Sequence, residues 1–429
     1  MVSKSIVIWC KKQLYATIKT ELSHESKRTK EALTMQFAQR LSRLGTENAF
    51  EILAEVNKLK AEGKDIVSFA IGEPDFETPD NIKEAAVRAL YDNQTHYGPS
   101  NGILPLREAI AKHISETRHI DVNANQVVVM PGGKPIIYYT IHALVDEGDE
   151  VIYPNPGFPI YESVIRFVGG VPIPAPLSEA NGFSFDIERL KQLVSPKTKL
   201  LILNSPQNPT GGIISAEDLA EIARLAEEYD FWILSDEIYS RIVYDGEFRS
   251  IASLPNMAKR TVILDGFSKT YAMTGWRLGY GVMNEELAKQ VANLETNCES
   301  CTNTFVQYAG LEALTGPQDS ADEMVAEFKA RRDLIVDGLN AIEGFTCQKP
   351  NGAFYVYPNV TEACRLLGLS DAKALQKYLL YEAGVAVLPS TAFGAKLEDE
   401  TEEYIRFSYA TSQDVIREGL ARIAKAMKR

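Results

Sequence analysis

A lysine with a hydroxyl neighbour and an arginine downstream is the strongest chemical signal in this sequence. Ser268 and Lys269 follow the apolar run 261–264, and Arg277 lies eight residues beyond the lysine. An amine beside fixed positive charge has a lowered pKa, so it can be neutral and nucleophilic near pH 7. Such an amine can form a Schiff base with an aldehyde. A lone lysine is ordinarily a solvated surface charge, so this interpretation depends on further motifs.

A carboxylate stands at a second strand end. Asp236 closes the segment that begins with the apolar run 231–234, and a buried carboxylate is costly unless a cation meets it. It could be a helix N-cap or a paired loop carboxylate. It could also pair with a protonated pyridine nitrogen and keep that ring electron-poor.

Two turns after other apolar runs complete the set. Asn208 lies in a proline- and glycine-rich turn after the run 200–203, which could be a connector or could hold its amide against a ligand oxygen. Gly133 and Lys134 lie between the run 127–130 and a helical pattern. Strand, glycine turn and helix N-terminus together can bind a phosphate, although a Gly-Gly pair alone is usually only a turn.

Apolar runs alternate with helical patterns along most of the chain. The predicted strands lie near Val127, Val151, Leu200, Phe231, Thr261 and Leu278. This alternation predicts an α/β fold with a mainly parallel sheet covered on both faces. Ligands bind outside the carboxyl ends of such strands, so one crevice can collect Gly133, Asn208, Asp236 and Lys269.

Together these motifs resemble fold-type I pyridoxal-phosphate enzymes, specifically class I/II aminotransferases of the aspartate aminotransferase type. The family's Asn-Pro-Thr-Gly turn, Asp-Glu-x-Tyr strand end and Ser-Lys-x5-Gly-x-Arg segment match residues 208–211, 236–239 and 268–277. The resemblance runs from about Leu41 to near the C-terminus. It implies pyridoxal 5'-phosphate as cofactor and a transaminase that moves the amino group of an L-amino acid to a 2-oxo acid, with 2-oxoglutarate as the expected acceptor, by a ping-pong mechanism.

The resemblance assigns roles around the cofactor ring. Lys269 would carry the cofactor as a Schiff base and then shuttle the substrate proton, and Asp236 would pair with the ring nitrogen. Tyr239 and Asn208 would hydrogen-bond the phenolic oxygen of the ring. Phe158 would stack on its face, although it could instead be a plain core phenylalanine.

The resemblance also implies a phosphate site. Its donors would be the backbone amides of Gly133 and Lys134, the Ser268 hydroxyl and the Arg277 guanidinium, whose planar fork binds two oxygens at once. Tyr97 matches a tyrosine that reaches the phosphate of the neighbouring subunit. The expected assembly is therefore a homodimer with shared active sites.

The substrate would meet a further arginine. Arg406 matches the residue that binds the substrate α-carboxylate beside Asn208, with the Gly72 turn closing over it. From the residues alone, Arg406 alternates with apolar neighbours and faces either a solvated edge or a ligand. The Lys134 side chain would meet the distal carboxylate of glutamate or aspartate, or would instead face solvent or the phosphate.

The pattern changes after about residue 317, and together with this change the resemblance implies a domain arrangement. Residues 1–34 form an extension outside the core, residues 35–75 the N-terminal part of a small domain, residues 76–316 the large cofactor-binding domain, and residues 317–429 the C-terminal part of the small α+β domain.

Composition narrows the possible partners. The net charge of −13 argues against nucleic acid or an anionic membrane surface, and no apolar stretch approaches the roughly 18 residues that cross a bilayer. Five cysteines lack disulfide or zinc spacing, which predicts no metal site and a cytoplasmic location. Cys298 and Cys301 are predicted to lie within one helix.

Two other functional classes remain open. A β-lyase or cyclising enzyme on the same fold would use the same motifs. Regulators that fuse this fold to a DNA-binding domain also exist, but about 34 N-terminal residues are too few for a winged helix.

Overall fold

The computed structural model describes residues 37–45 and 48–428. The predicted extension 1–34 lies outside the described residues. The chain divides into two compact units, residues 1–42 and 43–429. The described part of the first unit carries most of a short 3-10 helix, Gln39–Arg43, and all elements below belong to the second.

The second unit contains thirteen strands and thirteen α-helices in its described residues. The strands are β1 Val67–Ser68, β2 Val127–Met130, β3 Glu150–Asn155, β4 Val171–Ser178, β5 Ser184–Phe185, β6 Thr198–Asn204, β7 Trp232–Asp236, β8 Thr261–Gly266, β9 Gly279–Val282, β10 Tyr355–Val356, β11 Val385–Ala386, β12 Leu388–Pro389 and β13 Ile405–Ser408. The helices are α1 Asn48–Ala61, α2 Asp80–Tyr91, α3 Leu104–Arg118, α4 Lys134–Leu144, α5 Ile160–Val168, α6 Ile187–Leu193, α7 Ala216–Tyr229, α8 Glu285–Cys298, α9 Thr304–Thr315, α10 Asp319–Asn340, α11 Thr361–Leu367, α12 Ala372–Tyr378 and α13 Gln413–Ala426.

An eight-stranded sheet forms the centre of the fold, in the order β2-β9-β8-β7-β6-β3-β4-β5. The pairs from β8 through β7, β6 and β3 to β4 are parallel. Strand β9 runs antiparallel to both β2 and β8, and β5 runs antiparallel to β4. The predicted α/β fold with a mainly parallel sheet is confirmed.

Helices cover both faces of this sheet because both sets of alternating side chains are apolar. Val127 and Val129 pack in a core with α2, α3 and α9, whereas Val128 and Met130 pack in a second core with α4, α5 and α8. A strand with two buried faces reads as a continuous apolar run. Candidate functional side chains on the strands of this sheet are therefore expected at the strand ends.

Two smaller sheets lie outside the central one. Strand β1 pairs in parallel with β11, and β13 pairs with β10 and β12 in antiparallel fashion. Helices α10 and α13 share a core with them. The predicted domain boundaries at 75/76 and 316/317 stay a prediction.

Strand β4 was absent from the sequence-based prediction because it contains three prolines, Pro172, Pro174 and Pro176. Val171, which alternates with these prolines, donates its backbone N–H to Asp149 on the β3 side. The prolines therefore place their missing N–H groups on the opposite side, where β5 pairs with only Leu177 and Ser178. Prolines are tolerated at such a sparsely paired edge.

One smaller expectation was inaccurate. Helix α8 ends at Cys298, so Cys301 lies beyond it. Helix α12 continues after Tyr378 as a π-helix, Leu379–Ala383. Within residues 37–45 and 48–428, no helix is long and apolar enough to cross a bilayer.

Candidate active site

The carboxyl ends of β2, β6, β7 and β8 meet at a cavity of about 170 Å³. Its lining residues are Gly133, Lys134, Ile137, Phe158, Tyr161, Asn204, Asn208, Asp236, Ile238, Tyr239, Leu264, Ser268, Lys269, Thr274 and Arg277. The cavity brings together every predicted cofactor-binding residue except Tyr97. Parallel strands produce this convergence because their carboxyl ends share one edge of the sheet.

The Lys269 amine lies inside the cavity and donates to the Gly72 carbonyl oxygen at 2.6 Å. The pKa of this amine is lowered to about 8, chiefly because burial penalises the charged form; Arg406 and Arg277 also lower it, whereas Glu73 and Asp236 raise it. The sequence-based expectation attributed this shift to neighbouring positive charge. That cause is secondary, because desolvation of the ammonium is the largest contribution.

Asp236 is the buried acid of the site, at the end of β7. Its Oδ2 accepts a hydrogen bond from the Tyr161 hydroxyl at 2.7 Å, and its Oδ1 accepts one from the Ile238 backbone N–H at 3.3 Å. Burial nevertheless raises the pKa of this carboxyl to about 6. A cation placed against it would favour the ionised form.

Tyr161 was not predicted from the sequence. It lies three residues after Phe158, and the two rings meet edge to face with centroids 5.8 Å apart. The sequence signal was its place in the first turn of α5, directly after the Pro-Gly-Phe-Pro turn. Its hydroxyl identifies it as the side chain that holds Asp236 in place.

An anion site forms at the start of α4. Gly133 is the N-cap of this helix, and no side chain caps it. The Arg277 guanidinium lies directly beside the turn: a Cβ on Gly132, where φ is +102°, would stand 2.3 Å from Arg277 Nη2. Uncapped N–H groups at a helix N-terminus next to a guanidinium favour a bound phosphate. Ser268 lines the same cavity as Gly133 and Arg277.

Further hydrogen bonds involve the cavity residues Tyr239 and Asn208. The Tyr239 and Tyr355 hydroxyls lie 2.8 Å apart, and Tyr355 was another residue that the sequence did not reveal. Arg406 Nη1 donates to Asn208 Oδ1 at 3.0 Å, and its Nη2 donates to the Ala70 carbonyl at 2.5 Å. Arg406 is buried, so the alternative of a solvated edge is wrong. It does not line the 170 Å³ cavity itself but joins it through Asn208.

The remaining predicted residues occupy distinct places. Gly72 has no room for a side chain, since a Cβ there would lie 2.0 Å from the Tyr355 hydroxyl oxygen. Lys134 Nζ lies 5.2 Å from the centre of the Phe158 ring. This contact with Phe158 was not predicted from the sequence. Tyr97 is 89% exposed and lies outside the cavity of its own chain.

A model of the aminotransferase class I and II family matches residues 64–423. A probable aspartate/prephenate aminotransferase of Aquifex aeolicus is 42% identical over 395 residues, which cover 91% of this chain and 98% of that protein. The aspartate aminotransferase structure from Rhizobium meliloti has a TM-score of 0.87 at 36% identity and covers 92% of this chain and 99% of that one. The Thermus thermophilus aspartate aminotransferase with maleate has a TM-score of 0.85 at 36% identity, over 92% and 100% of the two chains.

The chain therefore belongs to the class I and II aminotransferases. It is a pyridoxal-phosphate-dependent transaminase, as the resemblance implied, since the aspartate aminotransferase family uses this cofactor.

The chemistry of the cavity fits this cofactor at three points. The uncapped start of α4 beside Arg277 suits a phosphate. The buried Asp236 carboxyl suits a protonated ring nitrogen, and the Lys269 amine, with its lowered pKa, suits an aldehyde. These three groups line one cavity.

Proposed function

We propose that this enzyme transfers the amino group of an L-amino acid to 2-oxoglutarate by a ping-pong mechanism. The observation that carries the proposal is the enclosure of the Lys269 amine in one cavity with Asp236 and Arg277. A lysine with a pKa near 8 has a substantial neutral fraction at physiological pH, as a nucleophile and a general base both require.

Each residue of the site contributes a separate physical function in this proposal. Pyridoxal phosphate, when bound, supplies an aldehyde and an electron-withdrawing ring. Asp236 would keep the ring nitrogen protonated through its negative charge, and Tyr161 orients that carboxyl group. Lys269 would take the proton from the substrate Cα and return it to the carbon of the former cofactor aldehyde. Arg277 and the first amides of α4 would hold the phosphate in place.

The substrate α-carboxylate would bind to Arg406. The guanidinium is already oriented by Asn208 and by the Ala70 carbonyl, so little side-chain entropy is lost when a carboxylate binds. An arginine presents two parallel N–H donors to a carboxylate. This requirement is met by every L-α-amino acid and every 2-oxo acid, which is consistent with one site serving both half-reactions.

A second copy of the chain would complete the site. Tyr97 is 89% exposed and does not line the cavity of its own chain. Its place in the family motif supports a homodimer in which Tyr97 of one copy reaches the phosphate in the other.

The ping-pong proposal predicts a complete half-reaction. Holoenzyme mixed with excess glutamate and no acceptor should lose the absorbance of the aldehyde form of its cofactor. Added 2-oxoglutarate should restore that absorbance, with one amino group moved per active site. Release of ammonia or pyruvate without an acceptor would instead identify a lyase, and a requirement for both substrates at once would exclude the ping-pong order.

A further prediction concerns the substrate range. The Lys134 ammonium lies over the Phe158 ring at the cavity, and we propose that it binds the distal carboxylate of dicarboxylic substrates. Lys134→Ala should then lower kcat/KM for glutamate and aspartate by about ten- to a hundredfold, the scale of one charge-assisted hydrogen bond of about 1.5–3 kcal/mol.

Aromatic and aliphatic amino acids serve as the internal control for Lys134→Ala. Their kcat/KM should change far less, because they offer no distal carboxylate. An equal loss for both substrate classes would show that the lysine acts on the cofactor, and the assignment to the distal carboxylate would be wrong.

A further inference from the structure

A buried ionic cluster lies beside the ends of the strands that carry Asp236 and Lys269. Arg118, the last residue of α3, is 4% exposed. Its Nε donates to Glu237 Oε2 and its Nη2 to Asp265 Oδ2, both at 2.8 Å. Both carboxylates are also buried. We call these three residues, Arg118, Glu237 and Asp265, the Arg118 cluster.

The remaining oxygens of the cluster are also hydrogen-bonded. Glu237 Oε1 accepts from the Ser235 hydroxyl at 2.9 Å and from the Ser250 hydroxyl at 2.6 Å. Asp265 Oδ1 accepts from the Gly266 backbone N–H at 2.7 Å. A fully satisfied buried network is rigid. It is weak evidence for stability, because desolvation of the charges offsets much of their attraction.

Strand geometry connects the cluster to the cavity. Asp236 on β7 pairs with Leu264 on β8, and both side chains line the cavity. Successive side chains of a strand point to opposite faces, so Asp265 points away from the cavity. The Glu237 backbone N–H donates to the Leu264 carbonyl at 2.8 Å. Lys269 follows Asp265 by four residues.

We propose that Arg118 is a positioning residue that ties the end of β7 to the end of β8 and thereby sets Asp236 and Lys269 against the cofactor. This inference rests on the roles proposed above for those two residues. Arg118 does not line the cavity and would act through its two carboxylate partners, although its guanidinium also donates to the Ser240 and Thr117 hydroxyls. A planar guanidinium suits this task because its rigid fork bridges two carboxylates in a fixed geometry.

The charge balance of the cluster supports a bridging role. One guanidinium faces two buried carboxylates, so the cluster carries an excess of negative charge. Burial raises the pKa of the Asp265 carboxyl to about 6 even though Arg118 lowers it. Without Arg118 the two carboxylates would have to separate or take up a proton. Either change would move the strand ends, and a shift of about 1 Å at a site can cost about a hundredfold in rate.

The test compares two cluster variants with a matched control. Arg118→Met removes the positive charge and Asp265→Asn removes a negative one, while each keeps the approximate size of the side chain. Arg332→Met is the control. Arg332 is 0% exposed, donates to Asp245 Oδ2 at 2.6 Å and does not line the cavity.

Two measurements distinguish a positioning role from a purely stabilising one. The first is the dissociation constant of pyridoxal phosphate titrated into the apoenzyme. The second is the visible circular dichroism of the bound cofactor, which reports the orientation of its ring. Arg118→Met should raise the dissociation constant about tenfold or more, the scale at which loss of an outer supporting contact weakens metal sites, and should change the dichroism. Asp265→Asn should act in the same direction. Arg332→Met should lower Tm without changing either readout.

Two results would overturn the proposal. Cluster variants that lower only Tm, as the control does, would show a purely structural role. Opposite effects of Arg118→Met and Asp265→Asn on cofactor affinity would show that charge alone matters. If Arg118→Met does not fold, Asp265→Asn decides between the alternatives, because it retains the Arg118–Glu237 pair. An active Lys269→Ala variant would contradict the proposed function itself, whatever the cluster variants show.

Discussion

Replacing Lys269 with alanine is expected to lower turnover by about 10⁴-fold or more while the chain still folds. In the roles proposed above, the variant would lose both the nucleophile for the cofactor aldehyde and the base for the substrate proton, and general acid–base catalysis alone contributes about 10²–10⁴-fold. The amine donates to the Gly72 carbonyl, a contact that alanine cannot make but that does not secure a core element. Multiple-turnover transamination and thermal unfolding are the two measurements.

The variant should still bind its cofactor. The proposed phosphate ligands Arg277, Ser268 and the start of α4 remain, and Asp236 still lines the cavity. Lys269→Arg is the matched control, because it restores positive charge but offers no neutral amine near pH 7. It should be as inactive as the alanine variant. Substantial multiple turnover by either protein would remove Lys269 from its central role.

The sequence was sufficient to predict the parts of the site that follow strand ends. Lys269, Asp236 and Asn208 each come directly after an apolar run, and the parallel sheet then places them at one edge. Family motifs extended this prediction to Gly133 and Arg277. Such residues are predictable because local pattern and topology alone determine their position.

Contacts between segments that are distant along the chain could not be predicted from the sequence. Tyr161 meets Asp236 across 75 residues, and Arg118 meets Glu237 across 119. Neither contact has a local period or spacing that would mark it. The cause of the lowered Lys269 pKa was missed for the same reason, since burial depends on what every other segment places around the amine.

Removing the negative charge of Asp236 should cause the second large loss of activity. Asp236→Asn keeps the shape of the side chain. It can still accept a hydrogen bond from the Tyr161 hydroxyl, which in the native protein donates to Asp236 at 2.7 Å. It removes the negative charge that would hold a proton on the ring nitrogen. We expect kcat to fall by about 10²–10³-fold, the usual scale for losing one electrostatic contact aimed at charge that develops in the transition state.

The control for this variant is Tyr161→Phe, which removes the hydrogen bond to Asp236 but leaves its charge. A hydrogen bond to an ionised carboxylate contributes about 1.5–3 kcal/mol, but Tyr161→Phe leaves the charge itself in place, so it should lower kcat by less than Asp236→Asn does. The protonation state of the ring nitrogen, followed by ¹⁵N NMR of labelled cofactor in the holoenzyme, should change in Asp236→Asn and persist in Tyr161→Phe. If both variants lowered kcat equally and left the nitrogen protonated, the orientation of the ring would be the property that Asp236 controls, and its charge would not be needed for the reaction.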